Sequence, residues 1–401
     1  MTMITRRSLL ALAGLGGAAL TLPAAPAWAS PAAPAWATAA ASPARPRVID
    51  MPAPTLQRPV GTVSLHLVDR ARQDPFAPAP GPRELMVQLW YPALGTAGRA
   101  RAPYTTPRVA AAIDATLPLD PGTIAAVRPT ARTGAPAAPG ALPLLLLGHG
   151  RKGGRSNCTA LAEELAAHGY LVAAIDHTYD AAAVEFPDGR LVHSALLDDP
   201  ADWDAADRKE VAARVDDIRF VATELTEHRA DAHSGLPTAD PRRIGVLGHS
   251  MGGAAAAEAV RQDDRFAAGL DLDGGLFGSP VPELGLDRPF LLLTALPDHE
   301  TWRHWRDHQH AWGRQLRMRD AGHLSFTDLP HTAAPGNLAG HIPADAYTAL
   351  LGTITPTRAT ELTRAYTRSY FDHVLRGRPA PLLNSPSPRF PEIELHWSRD
   401  R

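Results

Sequence analysis

The sequence of 401 residues holds a single cysteine, Cys158, so it can form neither an intrachain disulfide nor a cysteine-based metal cluster. It also lacks an excess of either charge. Its 40 basic and 42 acidic residues give a formal net charge of −2, without the basic surplus that a nucleic-acid surface requires. No apolar run suits a membrane span: the stretch 9–22 is too short and too rich in glycine and alanine. No internal repeat is evident. Among 17 histidines no H-E-x-x-H occurs. His304 and His308 stand one helical turn apart, with His299 and His310 nearby, but no glutamate follows His304, so a solvent-facing helix is expected in place of a zinc site. Trp302, Trp305 and Trp312 share a face of that helix and read as core packing before lipid or acyl binding.

What is present begins with an export signal. Thr5-Arg6-Arg7-Ser8-Leu9-Leu10 is a twin-arginine pattern ahead of the apolar stretch, and small-x-small cleavage sites follow at Ala27-Trp28-Ala29 and Ala35-Trp36-Ala37. No cysteine follows for lipid attachment. The expected organisation is a signal over residues 1–29, a Pro/Ala-rich leader over 30–57 and one catalytic domain over 58–401, working in the periplasm or outside the cell.

Residues 61–69 and 84–91 alternate apolar and polar side chains around a Pro/Gly-rich stretch, which predicts an antiparallel strand pair. Residues 102–140 are rich in Pro, Ala, Thr and Arg, with a weak helical patch near 109–113, and read as an irregular surface insertion. From residue 142 strands and helices alternate. Strands are predicted at 142–147, 170–175, 243–247, 266–272, 289–294 and 315–318. Helices are predicted at 156–168, 204–228, 252–260 and 358–376, with Ser156 and Thr357 as caps. The long helix carries Val211, Val215, Ile218, Ala222 and Leu225 at spacings of 4, 3, 4 and 3. Such alternation predicts an α/β fold: a mostly parallel central sheet with helices on both faces.

Gly248-His249-Ser250-Met251-Gly252 reads G-x-S-x-G between a predicted strand and a predicted helix, the context of a nucleophile elbow. The turn demands small residues two before and two after the serine, and both are glycine. A serine hydroxyl needs a base to take its proton and a carboxylate to orient that base, in the chain order Ser, Asp or Glu, His. His323, in Asp320-Ala321-Gly322-His323 after the last parallel strand, fits the base better than His331 or His341. Three aspartates compete for the acid: Asp271 and Asp273 end the strand after the elbow helix, and Asp298 follows the next strand. The backbone N–H of Met251 is one expected oxyanion donor, and the loop after the strand at 142–147 supplies the other. Asp176-His177 reads as a loop anchor, and Cys158 as a small buried residue.

Five segments occur together with this motif: RELMVQLWYPA (83–93), LLLLGHG (144–150), LAAHGYLVAAID (165–176), LDLD (270–273) and YFDHVLRGRPAPLLNSPSPRFP (370–391). Through residues 58–395 the chain resembles the platelet-activating-factor acetylhydrolase family, plasma and bacterial type, of the α/β-hydrolase fold. The resemblance implies Asp273 as the triad acid, with Asp298 the alternative, and Arg151 as the second oxyanion donor. The Arg151-Lys152 pair departs from the family, where an apolar residue is common, and leaves the polarity of the acyl pocket for the structure to decide.

The expected activity is that of an exported serine carboxylic-ester hydrolase: Ser250 attacks, His323 accepts the proton, Asp273 holds His323, and no metal or organic cofactor is implied. The substrate implied by resemblance is a short-chain or truncated acyl ester, a phospholipid sn-2 ester included. Small-molecule or lipid esters, with transient contact to a lipid surface, are the expected partners; nucleic acid and an obligate protein partner are not. A cutinase-like polyester hydrolase and a non-catalytic ligand-binding protein on the same fold are the alternatives.

Overall fold

The central apolar run of the domain, Leu144 to Leu147, is at most 3% exposed and sits in the middle of a ten-stranded sheet. The computed structural model describes residues 48–227 and 236–400. The export signal, both cleavage sites and His228 lie outside them. The strands of the large sheet are β1 (Val60–Gln73), β2 (Pro82–Pro92), β3 (Arg132–Thr133), β4 (Ala141–Gly148), β5 (Leu171–Asp176), β6 (Thr238–His249), β7 (Phe266–Leu272), β8 (Phe290–Thr294), β9 (Gly313–Met318) and β10 (Ile393–Arg399). Their order is β10-β9-β8-β7-β6-β4-β5-β2-β1-β3. The block from β9 to β5 is parallel throughout, while β10 and the β1–β2 pair join antiparallel.

Alternate residues of the buried strands point to opposite helix layers. Leu144 and Leu146 pack in one cluster with Val211, Val215 and Ile218 of α3 (Trp203–Thr226) and the alanines of α4 (Met251–Gln262). Leu145 and Leu147 pack in the other with Leu161 and Leu165 of α2 (Thr159–Ala167) and Leu362, Tyr366 and Tyr370 of a long C-terminal helix (Pro356–Arg376). Each leucine buried this way contributes about 1.5–3 kcal/mol relative to exposure. The two-layer cover is the reason these strands carry apolar residues at every position.

Four boundaries differ from the sequence reading. The leader expected to reach residue 57 ends earlier, because Ile49–Asp50 pairs with Val127–Arg128, Met51 is buried, and Thr55 donates its N–H to Glu164 at 2.7 Å. Residues 102–140 are not merely irregular surface: Thr106 caps α1 (Pro107–Thr116), and a 3-10 turn follows at Ile124–Ala126. The final helix is capped by Thr355 ahead of Pro356, not by Thr357. Helix α2 begins at Thr159, not at Ser156, and its first amides are taken by a residue far away in sequence: Asp328 accepts from Thr159 N at 2.7 Å and Ala160 N at 3.2 Å. Cys158, just before it, is buried as expected, and burial pushes its thiol pKa up.

The histidine-rich segment forms α5 (Glu300–His308). His304 is exposed, whereas Trp302 and Trp305 are buried, their indole N–H groups donating to Gly274 O at 2.7 Å and Gln309 Oε1 at 2.8 Å. Trp312 stacks on Tyr370. Among the described residues no group of His, Cys, Asp and Glu is arranged to hold a metal, and no helix is long and apolar enough to cross a membrane.

Candidate active site

Ser250 stands at the junction of β6 and α4 with φ 55° and ψ −123°, a left-handed strained conformation for a residue with a side chain. The sharpness of the turn presses Gly248 against Gly252. A Cβ on Gly248 would lie 2.2 Å from the Gly252 carbonyl carbon, and one on Gly252 would lie 2.4 Å from Gly148 O. The flanking glycines are therefore required by backbone contact, and the geometry pushes the half-buried serine up at the carboxyl end of the sheet.

The other two candidate residues follow the ends of β7 and β9, on the same edge of the sheet. Asp273 follows β7 with φ 59°, its Oδ1 accepting Ala295 N at 2.7 Å and its Oδ2 lying 2.8 Å from His323 Nδ1. His323 opens a 3-10 turn (His323–Phe326) after β9, and both side chains are buried. An ionised carboxylate only accepts, so this contact fixes the tautomer with the proton on Nδ1. Nε2 is left for the cavity that Ser250 and His323 line together.

The competing residues lie elsewhere. Asp298 is partly exposed and paired with Arg303 at 2.8 Å and Arg306 at 3.1 Å, contacts that hold its pKa below the usual carboxylate range against the opposing effect of burial. Asp271 is fully buried beneath the elbow, where burial pushes its pKa well up; its Oδ1 accepts Gly274 N at 2.8 Å. His331 meets Thr360 Oγ1 at 2.7 Å and His341 meets Asp120 at 2.8 Å, so neither approaches Asp273.

Two histidines that the sequence reading passed over support the site. His249 Nε2 lies 2.8 Å from the carbonyl of His323, and burial, with the adjacent His323, pushes its pKa down to about 3. A neutral ring there can donate Nε2–H to that carbonyl and tether the His323 segment to the elbow. His149 is likewise pushed down to about 3, chiefly by burial; its Nδ1 lies 2.7 Å from Gly150 O and its Nε2 accepts His177 N at 3.3 Å. The signal for His249 was in the motif itself, whose variable position carries a ring.

The Met251 amide opens α4, so the positive end of the helix dipole adds to its N–H. Across from it, a Cβ on Gly150 would lie 3.3 Å from Ser250 Cβ, which brings the Gly150-Arg151 backbone beside Ser250. Neither the Met251 nor the Arg151 amide donates to a backbone acceptor among the described residues. Two free N–H groups flanking a serine can hold a negative oxygen.

The cavity above Ser250 has a volume of about 480 Å³ and two unlike walls. Ile113, Leu117, Leu119 and Ile124 from the 102–140 segment join Leu324, Leu329, Leu338 and Leu350 on the apolar side. Arg151, Lys152, His193, Ser194 and Asp198 form the polar rim. The charges of the Arg-Lys pair are engaged: Arg151 bonds Glu210 and lies 5.3 Å over the Trp203 ring, and Lys152 bonds Asp198. The apolar wall is thus unaffected by them, which answers the question the sequence posed.

Known proteins agree with this architecture. The profile of platelet-activating factor acetylhydrolase, isoform II, matches residues 122–191, a segment that includes the His149–Gly154 loop. A probable 1-alkyl-2-acetylglycerophosphocholine esterase of Arthroderma benhamiae is 29% identical over 266 residues, 63% of this chain and 65% of its own length. The platelet-activating factor acetylhydrolase of Canis lupus familiaris is 30% identical over 161 residues, 33% of this chain and 34% of its own length. A solved ferulic acid esterase from Streptomyces cinnamoneus is 41% identical, with a TM-score of 0.78, over 86% of this chain and 98% of that one. The matches thus span just under two thirds of the fungal relative and a third of the canine one. Fold, site and relatives together define a carboxylic-ester hydrolase of the α/β-hydrolase type. Within that class the chain is similar in part to the platelet-activating-factor acetylhydrolase family, through the segment that the profile matches and through the relatives of that name.

Proposed function

We propose that this chain is a serine esterase that cleaves short-chain or truncated acyl esters through an acyl-enzyme on Ser250. The observation that carries the reading is the 2.8 Å contact of His323 Nδ1 with Asp273, buried beside an elbow serine that opens into a cavity with an apolar wall. In this scheme His323 Nε2 takes the Ser250 proton as Oγ attacks the ester carbonyl. The amides of Met251 and Arg151 hold the oxyanion, and His323 returns the proton to the leaving alcohol. Water, activated by the same imidazole, then releases the acid. Asp273 does not become protonated; it stabilises the imidazolium and its orientation. An acid after β7 supports the acetylhydrolase-like reading over a cutinase-like one, and the intact constellation argues against a non-catalytic binding protein.

The acyl group occupies the leucine-lined wall, and the alcohol, a phospholipid backbone among the candidates, leaves along the polar rim. A compact aromatic acyl group is the second reading, favoured by the ferulic acid esterase likeness at 41% identity. A hydrolysis panel of p-nitrophenyl esters, short-chain phosphatidylcholines, methyl ferulate and a soluble polyester separates these. Activity is expected to fall as a linear acyl chain lengthens beyond a few carbons. Equal rates on acetyl and palmitoyl esters would overturn the short-acyl assignment, and a preference for methyl ferulate would select the second reading.

The twin-arginine pattern adds export to the proposal. The secreted protein is expected to begin near Ser30 or Thr38, and Arg6→Lys with Arg7→Lys to retain precursor inside the cell. N-terminal sequencing of secreted protein that still starts at Met1 would contradict this.

A further inference from the structure

Beneath the loop that carries the Arg151 amide lies a cluster of buried charge that the ester chemistry does not itself use. Arg214, in the middle of α3 and 1% exposed, reaches under this loop. Its Nη1 donates to the His149 carbonyl, and its Nε and Nη2 donate to the two oxygens of Asp180 at 2.6 and 2.7 Å. Asp180 Oδ1 also accepts the Lys152 amide at 3.3 Å. One guanidinium therefore holds the backbone on the residue before the Gly150-Arg151 peptide and, through a single carboxylate, on the residue after it.

The same face of α3 reaches the loop from its side chains. Trp203, Asp207, Glu210 and Arg214 follow one another at spacings of four, three and four residues, which stacks them along one side of the helix. Glu210 binds the Arg151 guanidinium and lies 3.3 Å from Arg214, while Asp207 lies 3.8 Å from Arg151. Both ends of the clamp are thus tied to one rigid element. Burying ions in this way is costly, and well-packed apolar side chains often serve stability as well or better. The apolar residues Val211, Val215 and Ile218 of α3 already pack in the core, so apolar burial also holds the helix against the sheet. What apolar packing cannot do is hold a backbone carbonyl and an amide of a glycine-rich loop at fixed positions.

We infer that Arg214 is a positioning residue for the oxyanion hole: with Asp180 it fixes the His149–Lys152 backbone so that the Arg151 N–H stays aimed at the oxygen of the acylating carbonyl. The inference rests on the serine-esterase reading proposed above. The planar fork is essential to it, since three N–H directions are used at once, and a lysine ammonium cannot bind a carboxylate in the same bidentate plane.

The test compares the full-length protein with Arg214→Lys and Arg214→Met, with folding followed by circular dichroism and thermal melting. Fluorophosphonate labelling of Ser250 in the unaltered protein tests the underlying reading first, and its absence would remove that reading and not the clamp alone. With labelling present, Arg214→Lys is expected to lower kcat about 100-fold with KM changed by less than about twofold, the signature of a lost transition-state interaction. Arg214→Met is expected to lower it at least as far. A trifluoromethyl ketone, whose adduct with Ser250 carries the oxyanion, is expected to lose affinity by a similar factor. A role in stability alone would lower the melting temperature and leave kcat and ketone affinity of the folded protein at their original values, and that result would overturn the inference. Should both variants fail to fold, Asp180→Asn, which keeps volume and one acceptor, carries the same comparison with an expected loss of about tenfold in kcat; unchanged kcat and ketone affinity in that variant overturn it equally.

Discussion

Ser250→Ala is expected to lower ester turnover by about three orders of magnitude or more, because triad members act as a unit and the loss of one removes most of what the set supplies. The residual rate would come from the two amides and from substrate binding. The alanine should fold, since the strain at φ 55° bears on any side chain alike and alanine adds no atoms to the turn. A fluorophosphonate is expected to label Ser250 alone in the parent protein and nothing in the variant. Labelling at another residue, or near-normal turnover in the variant, would remove the serine-esterase reading.

Asp273→Asn is expected to cost about 10⁴ in turnover with little change in fold. Asparagine can present its NH₂ to His323 Nδ1, which then becomes an acceptor and puts the imidazole proton on Nε2, the atom that must receive the serine proton. The same change at Asp298 should remove about 1 kcal/mol of surface pairing with Arg303 and Arg306 and leave turnover near normal. Kinetics of the two variants on one p-nitrophenyl ester decide the matter. If Asp298→Asn abolishes activity and Asp273→Asn does not, the acid follows the later strand and the cutinase-like reading takes precedence.

The elbow was legible because its constraint is local. A strand, a turn and a helix packed within five residues leave no room for a Cβ at Gly248 or Gly252, and that steric demand writes itself into the motif. His323 was legible by position, since the end of the last parallel strand leads to the same edge as the end of β6. Which aspartate meets His323 was not legible from the neighbours of each. Asp271, Asp273 and Asp298 each end or follow a strand, and only the turn at Asp273, together with the Ala295 amide that takes its other oxygen, aims one of them at the imidazole.

Other parts of the site depend on partners too distant for any pattern to reveal. Asp328 caps α2 from 169 residues away, where the sequence offered Ser156. Arg214, Glu210 and Asp180 belong to segments that read as an amphipathic helix and a loop, and nothing in their spacing signals that they converge under residues 149–152. The helix at Pro107–Thr116 gave only a weak signal because it spans only ten residues within a segment rich in proline and threonine. It is fixed by tertiary contacts: Ala110 packs with Leu119, Ile124, Leu338 and Leu350 in a cluster separate from the two layers of the sheet.

That separation bears on how specificity can diverge. The apolar residues lining the cavity are supplied by two excursions from the sheet, one between β2 and β4 and one after β9, while Ser250, His323, Asp273 and the Met251 and Arg151 amides sit at strand ends, a helix start and the loops that follow the strands. A methylene added or removed at Ile113, Leu119 or Leu338 reshapes the pocket without touching the hydrogen bonds of Asp273, His323 or His249. On the proposed function, the acyl group accepted could change while the hydrogen bonds around Ser250 stay as they are, a modular freedom consistent with the acetyl and feruloyl esters in the names of its relatives.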